Sequence, residues 1–146
     1  NEILIQSEDL KKFTIKDFKV VSKRKPKAKE MKNLIFAFNV CRYVKSNAIV
    51  LAANEATVGI GSGQPSRLDS CKIAIDKMKK FINTKENLVA ASDAFFPFVD
   101  GIEKLVQSGV TAVIQPSGSI RDREIINFAN ETDAVLLFSK TRHFRH

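Results

Sequence analysis

The sequence predicts an α/β protein in which helices cover a partly parallel sheet. Short, nearly continuous apolar segments alternate along the chain with segments whose apolar residues recur every three or four positions. The first pattern is typical of strands buried on both faces of a sheet, and the second of helices with one buried face. Their alternation favours a layered α/β architecture. With 146 residues, the chain is long enough for one core, so we expect a single domain over residues 1–146.

The first half of the chain is predicted to contain short strands at 2–5 and 18–22. A helix is expected over about 27–44, with Pro26 near its start. Its predicted buried face comprises Met31, Leu34, Ile35, Phe38 and Cys41, which recur at helical spacing. The apolar segments 48–53 and 57–60 flank the turn residues Asn54-Glu55 and predict a hairpin.

The second half is predicted to alternate helices and strands. The expected elements are a helix with Leu68, Cys71, Ile75, Met78 and Ile82 on one face, a strand at 88–91, a helix with Ile102, Leu105 and Val106 that Gly109 closes, a strand at 110–114, a helix over about 121–130 and a strand at 134–138. Loops at about 61–67, 92–100 and 115–121 follow strands. Because ligands gather at the carboxyl ends of strands in such sheets, we expect these loops to meet at one rim.

Composition excludes several classes of function. The chain is 44% hydrophobic and 27% charged, as in ordinary globular domains. No apolar run reaches membrane-spanning length, and the first residues lack a signal-peptide pattern, so we expect a cytoplasmic protein that does not bind a membrane.

Because the first residue is Asn1 rather than Met, the chain is expected to be a piece of a longer one. Cys41 and Cys71 are expected to be buried free thiols in a reducing compartment.

The formal net charge of +8 depends on a basic cluster around Pro26. The cluster has neither interleaved aromatic residues nor a recognition motif, so it predicts a solvated basic surface rather than a nucleic-acid site, with anionic small molecules as a second class of partner. Its members are Lys19, Lys23, Arg24, Lys25, Lys27, Lys29 and Lys32.

The segment SDAFFPFVD at 92–100 carries the strongest functional signal. Pro97 prevents a regular helix or central strand, so three phenylalanines sit on an irregular backbone between Asp93 and Asp100. Rings that stack and acids that accept N–H bonds suit a flat, nitrogen-rich heterocycle. The same rings could instead plug the protein's own core, and the segment alone leaves both interpretations open.

The glycines of the segment GIGSGQ at 59–64 only partly match a dinucleotide-binding turn. The third glycine of that motif is absent and no βαβ unit with a distal acid follows, so a Rossmann cofactor site is not predicted. The glycines are expected to let the backbone approach a ligand or another chain closely. Arg67, near the next helix start, is either an anion-binding residue or a surface arginine.

Three other polar segments also have two interpretations each. The residues KSN at 45–47 form either a turn or the support of an Asn47 amide that donates to a developing oxyanion. The loop 115–119 precedes a helix start, which is an anion site unless Ser119 simply caps it. The tail RHFRH at 142–146 either lies in a cleft or is disordered. The chain has no zinc-ligand spacing, so no metal site is predicted.

Four ordered blocks resemble one enzyme family. They are KSNAIV at 45–50, VGIGSGQPSR at 58–67, SDAFFPF at 92–98 and RHFRH at 142–146. In this order they resemble the bifunctional purine-biosynthesis enzymes that combine AICAR transformylase with IMP cyclohydrolase. The similarity runs from about Ile5 to His146. It covers only the C-terminal part of the transformylase region, with residues 1–25 as a possible lead-in from the preceding subdomain.

The resemblance implies a fold and a reaction. The fold is a cytidine-deaminase-like, three-layer α/β/α subdomain with a mixed sheet and without the deaminases' zinc. The reaction moves a formyl group from the co-substrate 10-formyltetrahydrofolate to the 5-amino group of the AICAR ribonucleotide, in the biosynthesis of IMP. The enzymes of this family act as homodimers in the cytoplasm.

The resemblance also assigns roles to residues on the nucleotide side. Asn47 would hold the formyl oxygen and stabilise charge as the amine attacks, and His146 would approach the reacting formyl group. Arg142 would face the nucleotide phosphate. These roles suit a weakly nucleophilic amine, for which orientation and a fixed oxyanion donor supply much of the acceleration.

On the folate side, the resemblance assigns five residues. Phe95 and Phe98 would line the pocket for the carboxamide and pterin ring systems. Asp100 would accept hydrogen bonds from pterin N–H groups, and Arg67 and Leu68 would border the folate cleft.

Three differences from the family pattern bear on the expected activity. The chain has no Lys-His dipeptide, which in the family contains the presumed base, and no cyclohydrolase domain. It also has Pro116-Ser117-Gly118 where many relatives have Pro-Gly-Gly. The isolated chain is therefore expected to be inactive or nearly so. The alternatives are a non-catalytic ligand-binding or dimerisation module and, less favoured, a zinc-free hydrolytic relative of the nucleoside deaminases.

Overall fold

The sheet at the centre of the molecule contains the strands β1 (Phe18–Val20), β2 (Ile49–Ala53), β3 (Ala56–Gly61), β4 (Val89–Ser92), β5 (Ala112–Pro116) and β6 (Val135–Ser139). The helices are α1 (Ala28–Cys41), α2 (Arg67–Phe81), α3 (Val99–Gln107) and α4 (Asp122–Glu131), and a single 3₁₀ turn at Ile15–Asp17 precedes β1. This computed structural model describes residues 3, 5–81 and 86–146. Within those ranges, no helix is both long enough and apolar enough to cross a membrane.

The six strands lie in the order β1-β6-β5-β4-β2-β3. The central strands β4, β5 and β6 are parallel to one another, whereas β1 and the β2–β3 hairpin pair antiparallel at the two sides. The predicted α/β class with a partly parallel sheet is therefore confirmed. The predicted hairpin is confirmed as well, and its turn residues Asn54 and Glu55 both have positive φ, of 52° and 54°.

Helices cover both faces of the sheet, which gives three layers. Helix α1 packs on one face, where Val89 and Ala91 of β4 are fully buried, and α2, α3 and α4 pack on the other face with Ala90. This alternation follows from the two-residue period of a strand. Cys41 and Cys71 are buried free thiols, as expected, in the cores on opposite faces. Burial raises the pKa of both thiols, that of Cys71 to about 12.

The glycines of β3 allow direct contact between that strand and α2. A Cβ atom on Gly61 would lie 1.8 Å from the carbonyl oxygen of Ser70, and one on Gly59 would lie 2.1 Å from that of Ala74. The close approach that the sequence predicts is therefore made to the chain's own helix. Helix α2 begins beside the end of β3 for this reason.

The observed boundaries differ from the predicted ones at several places. Strand β5 begins at Ala112 rather than at residue 110, because the Val110 N–H donates to the carbonyl of Leu105 (3.1 Å) and completes the end of α3. The same strand continues through Pro116, which was predicted to lie in a loop. Helix α1 ends three residues early, at Cys41.

The predicted strand at 2–5 lies mostly outside the described residues. Its described members Ile3 and Ile5 are exposed and belong to no strand. Ile82, expected on the buried face of α2, also falls outside the described residues.

One member of the basic cluster, the half-buried Arg24, pairs with a buried acid. Both terminal nitrogens of Arg24 donate hydrogen bonds to the buried carboxylate of Glu30, with N–O distances of 3.1 and 2.8 Å. Burial alone would raise the pKa of Glu30, but hydrogen bonds from Arg24, Thr111 and the Lys27 backbone outweigh it and hold that pKa below its usual value. The six lysines of the cluster are exposed, as a solvated surface requires.

We predict that Gly61→Ala destabilises the fold, because the added methyl group would collide with the backbone of α2. The free energy of unfolding should fall by about 3 kcal/mol, measured by urea denaturation followed by circular dichroism. Gly63→Asn is the matched control, since Gly63 has a positive φ that Asn tolerates and open space around it. Equal losses in the two variants would contradict the proposed packing.

Candidate functional site

A cleft of about 550 Å³ opens beyond the carboxyl end of β4. The loops after β3 and β4 and the C-terminal segment supply its walls, so two of the three predicted loops meet there together with the tail. Seven of the eight residues predicted for the site line it: Asn47, Arg67, Leu68, Phe95, Phe98, Asp100 and Arg142. The eighth, His146, lines a separate, smaller hollow on the neighbouring surface.

The three phenylalanines of the aromatic loop have different environments. Phe96 is 1% exposed and packs against Gly101, so the core-plug interpretation is right for this ring. Phe95 is half-buried and Phe98 is 52% exposed, and both line the cleft. All three residues border the cleft, but the loop is anchored by the buried Phe96 ring and leaves the more accessible rings of Phe95 and Phe98 for a ligand.

Each cleft ring carries a guanidinium group on its face. The Arg142 guanidinium lies 4.8 Å from the centroid of Phe95, and that of Arg121 lies 4.8 Å from the centroid of Phe98. Cations over aromatic faces are held by the ring quadrupole while their N–H groups stay available. The mouth of the cleft is thus both aromatic and positively charged.

The two acids that flank the aromatic loop also differ. Asp100 is exposed in the first turn of α3, and its Oδ1 accepts the backbone N–H of Gly101 at 2.7 Å. Asp93 is fully buried, so it cannot accept a hydrogen bond from a ligand in the cleft. Of the two acids, only Asp100 is exposed at the cleft, so the expectation that both acids face a ligand is wrong for Asp93.

Asp93 forms a buried ion pair with Arg67. The two side chains are 0% and 7% exposed. Arg67 also donates to Ser92 Oγ (2.9 Å) and to Asn47 Oδ1 (2.7 Å), and Ser46 Oγ donates to the second oxygen of Asp93. Arg67 is therefore neither a surface arginine nor a free anion-binding residue, because its anion is the chain's own Asp93.

The amide of Asn47 is already engaged on both sides. Its Nδ2 donates to the carbonyls of Gln64 (2.9 Å) and Pro65 (3.2 Å), while its oxygen accepts from Arg67. The backbone oxygen of Asn47 accepts from Ser70 Oγ at 2.8 Å, and the Ser46–Asn47 peptide bond is cis. The side chain is thus held at the cleft by the loop before α2.

The C-terminal segment lies against the same network and is not frayed. The His143 N–H donates to the carbonyl of Asp93 (2.9 Å) and the Ser46 N–H to that of Arg145 (2.9 Å). This places Arg142 and Phe144 in the cleft wall. His146 is exposed, and its ring stacks on Phe144 with centroids 6.0 Å apart.

Side chains of Asp122 and Ser119 close the loop that precedes α4. The Asp122 carboxylate accepts the backbone N–H groups of Gly118 (2.8 Å) and Ser119 (3.2 Å), and Ser119 Oγ accepts that of Arg121 (3.1 Å). These bonds fix the loop before the helix, and no sequence pattern predicted the role of Asp122 in it. The N-cap residue of α4 is Arg121 rather than Ser119, and its side chain makes no capping hydrogen bond, so the anion-site alternative stays a prediction. Among the described residues, no group of three or more metal-ligating side chains converges.

Comparison with known proteins places the chain in a family. The family model described as "AICARFT/IMPCHase bienzyme" matches residues 1–77, just over half of the chain. The bifunctional purine biosynthesis protein PurH of Bartonella bacilliformis is 51% identical over 151 aligned residues, which cover 99% of this chain and 28% of that protein. The chain therefore spans less than a third of the length of this curated relative. It belongs to the AICARFT/IMPCHase bienzyme family of purine biosynthesis.

Proposed function

We propose that this chain is the C-terminal part of the transformylase region of a bifunctional purine-biosynthesis enzyme, and that its cleft takes part in formyl transfer from 10-formyltetrahydrofolate to the AICAR ribonucleotide. The observation that carries the proposal is the convergence of seven assigned residues from four separate segments on one cleft. Residues that merely filled a core would not be expected to share an open, aromatic and cationic surface.

The nucleotide occupies the side of the cleft formed by Phe95 and Arg142. The half-buried ring of Phe95 offers a face for the imidazole carboxamide. Arg142 is exposed and stacked on that ring, so its guanidinium keeps N–H groups free to bind a phosphate in a bidentate manner.

The folate occupies the other side of the cleft. Phe98 and Leu68 supply apolar surface for the pterin ring system, and Asp100 supplies an ionised acceptor for its N–H groups. Since Asp100 uses Oδ1 to bond Gly101, Oδ2 faces no competing partner among the described hydrogen bonds. Arg67 borders the folate but acts through its contacts with Asp93 and Asn47.

Asn47 stabilises the charge that develops during transfer. As the amine of AICAR adds to the formyl carbon, the π bond of the carbonyl breaks and the formyl oxygen becomes an oxyanion. The carbonyl re-forms when the bond from that carbon to the folate nitrogen breaks, the amine loses a proton, and the departing folate nitrogen gains one. The Asn47 amide reaches that oxygen by exchanging its bond to the carbonyl of Gln64 or Pro65. The Lys-His pair that contains the family's presumed base lies outside this chain, so the isolated chain is inactive.

We predict that Asn47→Ala lowers kcat for formyl transfer in the intact enzyme about 100-fold, since one oxyanion donor is lost.

Asp100→Ala should raise KM for the folate about tenfold through the loss of a charged acceptor. Glu103→Ala is the matched control, as Glu103 is an exposed acid on the same helix outside the cleft. Wild-type rates in both site variants would overturn the assigned roles.

We predict that Arg142→Gln weakens binding of the AICAR ribonucleotide roughly tenfold, because a charge-assisted contact with the phosphate is removed. Isothermal titration calorimetry on the intact enzyme measures this directly. The nucleoside, which has no phosphate, should bind both forms equally. Arg145→Gln is the control, because Arg145 is exposed and does not line the cleft. Equal affinities of wild type and Arg142→Gln for the nucleotide would contradict this assignment.

A dimerisation module is the second candidate function, favoured by apolar exposure at the cleft. Phe98 and Phe144 line the cleft and are 52% and 39% exposed, and Ile120 is fully exposed next to Arg121, which lies over Phe98. Apolar surface of this kind is typical of a site that a partner completes. Dimerisation and catalysis are compatible if the second wall comes from another subunit.

We predict that the 146-residue chain self-associates through this rim. Sedimentation velocity should show an average mass that rises with concentration, and Ile120→Ser should shift the distribution towards monomer. Ile15→Ser is the control, because Ile15 is exposed outside the cleft. A monodisperse monomer at all concentrations would count against a shared site.

A further inference from the structure

The C-terminal segment contains one buried residue. His143 is 2% exposed, whereas Arg142, Phe144, Arg145 and His146 are exposed. Its ring packs against Phe38 and Phe13, with centroid distances of 4.4 and 5.2 Å. Because these rings belong to the core beneath α1, His143 inserts the tail into the body of the molecule.

The polar groups of His143 join three parts of the chain. Its backbone N–H donates to the carbonyl of Asp93 at 2.9 Å. Its Nδ1 bonds to the carboxylate of Asp9, and since an ionised carboxylate only accepts, Nδ1 carries the proton. Within the described part of the chain, Nε2 is buried without a partner, which an unprotonated ring nitrogen tolerates better than an N–H group would.

Asp9 belongs to an irregular segment, residues 6–13, which we call the strap. The strap is fixed to the end of α1 by Arg42, which donates to the backbone oxygens of Asp9 (3.2 Å) and Lys11. It is fixed to the tail by Gln6, which donates to the backbone oxygen of Phe144. The strap and the tail are therefore bonded to each other on the side of the molecule next to the cleft.

We propose that His143 is a positioning residue for the cleft: it clamps the C-terminal tail between the strap and the core, and thereby holds Arg142 and Phe144 in the cleft wall. The residues on either side of His143 both line the cleft. Loss of the clamp frees both of them together. The consequence for the AICAR ribonucleotide rests on the proposed function, whereas the clamp itself does not.

The clamp is sensitive to pH. The charged groups that face the imidazole are Asp9 on the strap, Asp93 after β4 and Arg42 at the end of α1. Burial lowers the pKa of His143 below its ordinary value, although Asp9 acts in the opposite direction. A proton therefore binds more readily to the undocked tail. Docking is complete above about pH 6.5 and weakens as the pH falls through the lowered pKa.

Amide hydrogen exchange at positions 143 and 46 reports tail protection, because the His143 N–H donates to the carbonyl of Asp93 and the Ser46 N–H to that of Arg145. Measured in the 146-residue chain, it tests the clamp without any ligand. His143→Ala should lower the two protection factors roughly tenfold or more, because the buried anchor is lost. Asp9→Ala should do the same, because it leaves the buried Nδ1–H of His143 without an acceptor. Unchanged protection of the β4–β5 ladder controls for the fold. Tail protection within twofold of wild type in His143→Ala would overturn the proposal.

The variant His143→Leu distinguishes the packing role of the side chain from the effect of its ionisation. Leucine keeps an apolar anchor between the two phenylalanine rings but cannot ionise, so tail protection should remain and its dependence on pH between about 5 and 7 should disappear. Persistence of the wild-type pH dependence in this variant would contradict the role of the imidazole.

The ring-current shift of the Arg142 side-chain protons above Phe95 reports the cleft itself. We expect His143→Ala to abolish this shift and His143→Leu to retain it. A shift unaffected by His143→Ala would overturn the positioning role. Calorimetry with the AICAR ribonucleotide then tests the proposed function separately, since absence of nucleotide binding by the wild-type intact enzyme would leave the exchange results standing.

Discussion

The buried ion pair between Arg67 and Asp93 is the constraint on which the site depends. Charges are taken out of water at a cost that is recovered only when they are paired and their remaining hydrogen-bonding groups are satisfied. Here Ser46, Ser92 and Asn47 complete the pair. Removing one partner of such a pair typically costs about 3–5 kcal/mol, so the first residue of α2, the end of β4 and the loop before β2 are held in one arrangement.

This pair also divides the cleft into two chemically different ends. At the inner end, the polar side chains bond to one another, and the charges of Arg67 and Asp93 neutralise each other. The outer end has two cation–ring pairs and the exposed carboxylate of Asp100. A flat ligand that carries N–H donors and ends in an anion matches the outer end. When no ligand is bound, the inner network holds the residues of the cleft walls in the same positions. The geometry at the carboxyl edge of the sheet thus comes from residues that need not contact a ligand themselves.

From β1 onwards, periodicity and turn residues were sufficient to predict the order of helices and strands, since amphipathic spacing and apolar runs are local properties. They did not predict contacts between residues that lie far apart in the sequence. The glycines at 59 and 61 indicated that another segment packs closely on this strand, but not that the segment is α2. Asp93 looked like a ligand-facing acid because its pairing with Arg67 and Ser46 spans 26 and 47 positions. His143 and Asp9 are 134 positions apart, and no local signal marks either as part of a clamp. The resemblance supplied the cleft residues, although the structure does not place His146 among them.

The occupied amide of Asn47 is consistent with a catalytic donor. In the proposed reaction, the neutral carbonyls of Gln64 and Pro65 compete about equally with the formyl carbonyl of the ground state, so exchanging one for the other gains little. Once the formyl oxygen becomes an anion, its bond to the amide is roughly twice as strong as that to a neutral carbonyl. The donor therefore favours the transition state over the bound substrate, which is the condition for accelerating the chemical step rather than merely tightening binding. Arg67 strengthens this preference, because its bond to the Asn47 oxygen polarises the amide and fixes its orientation.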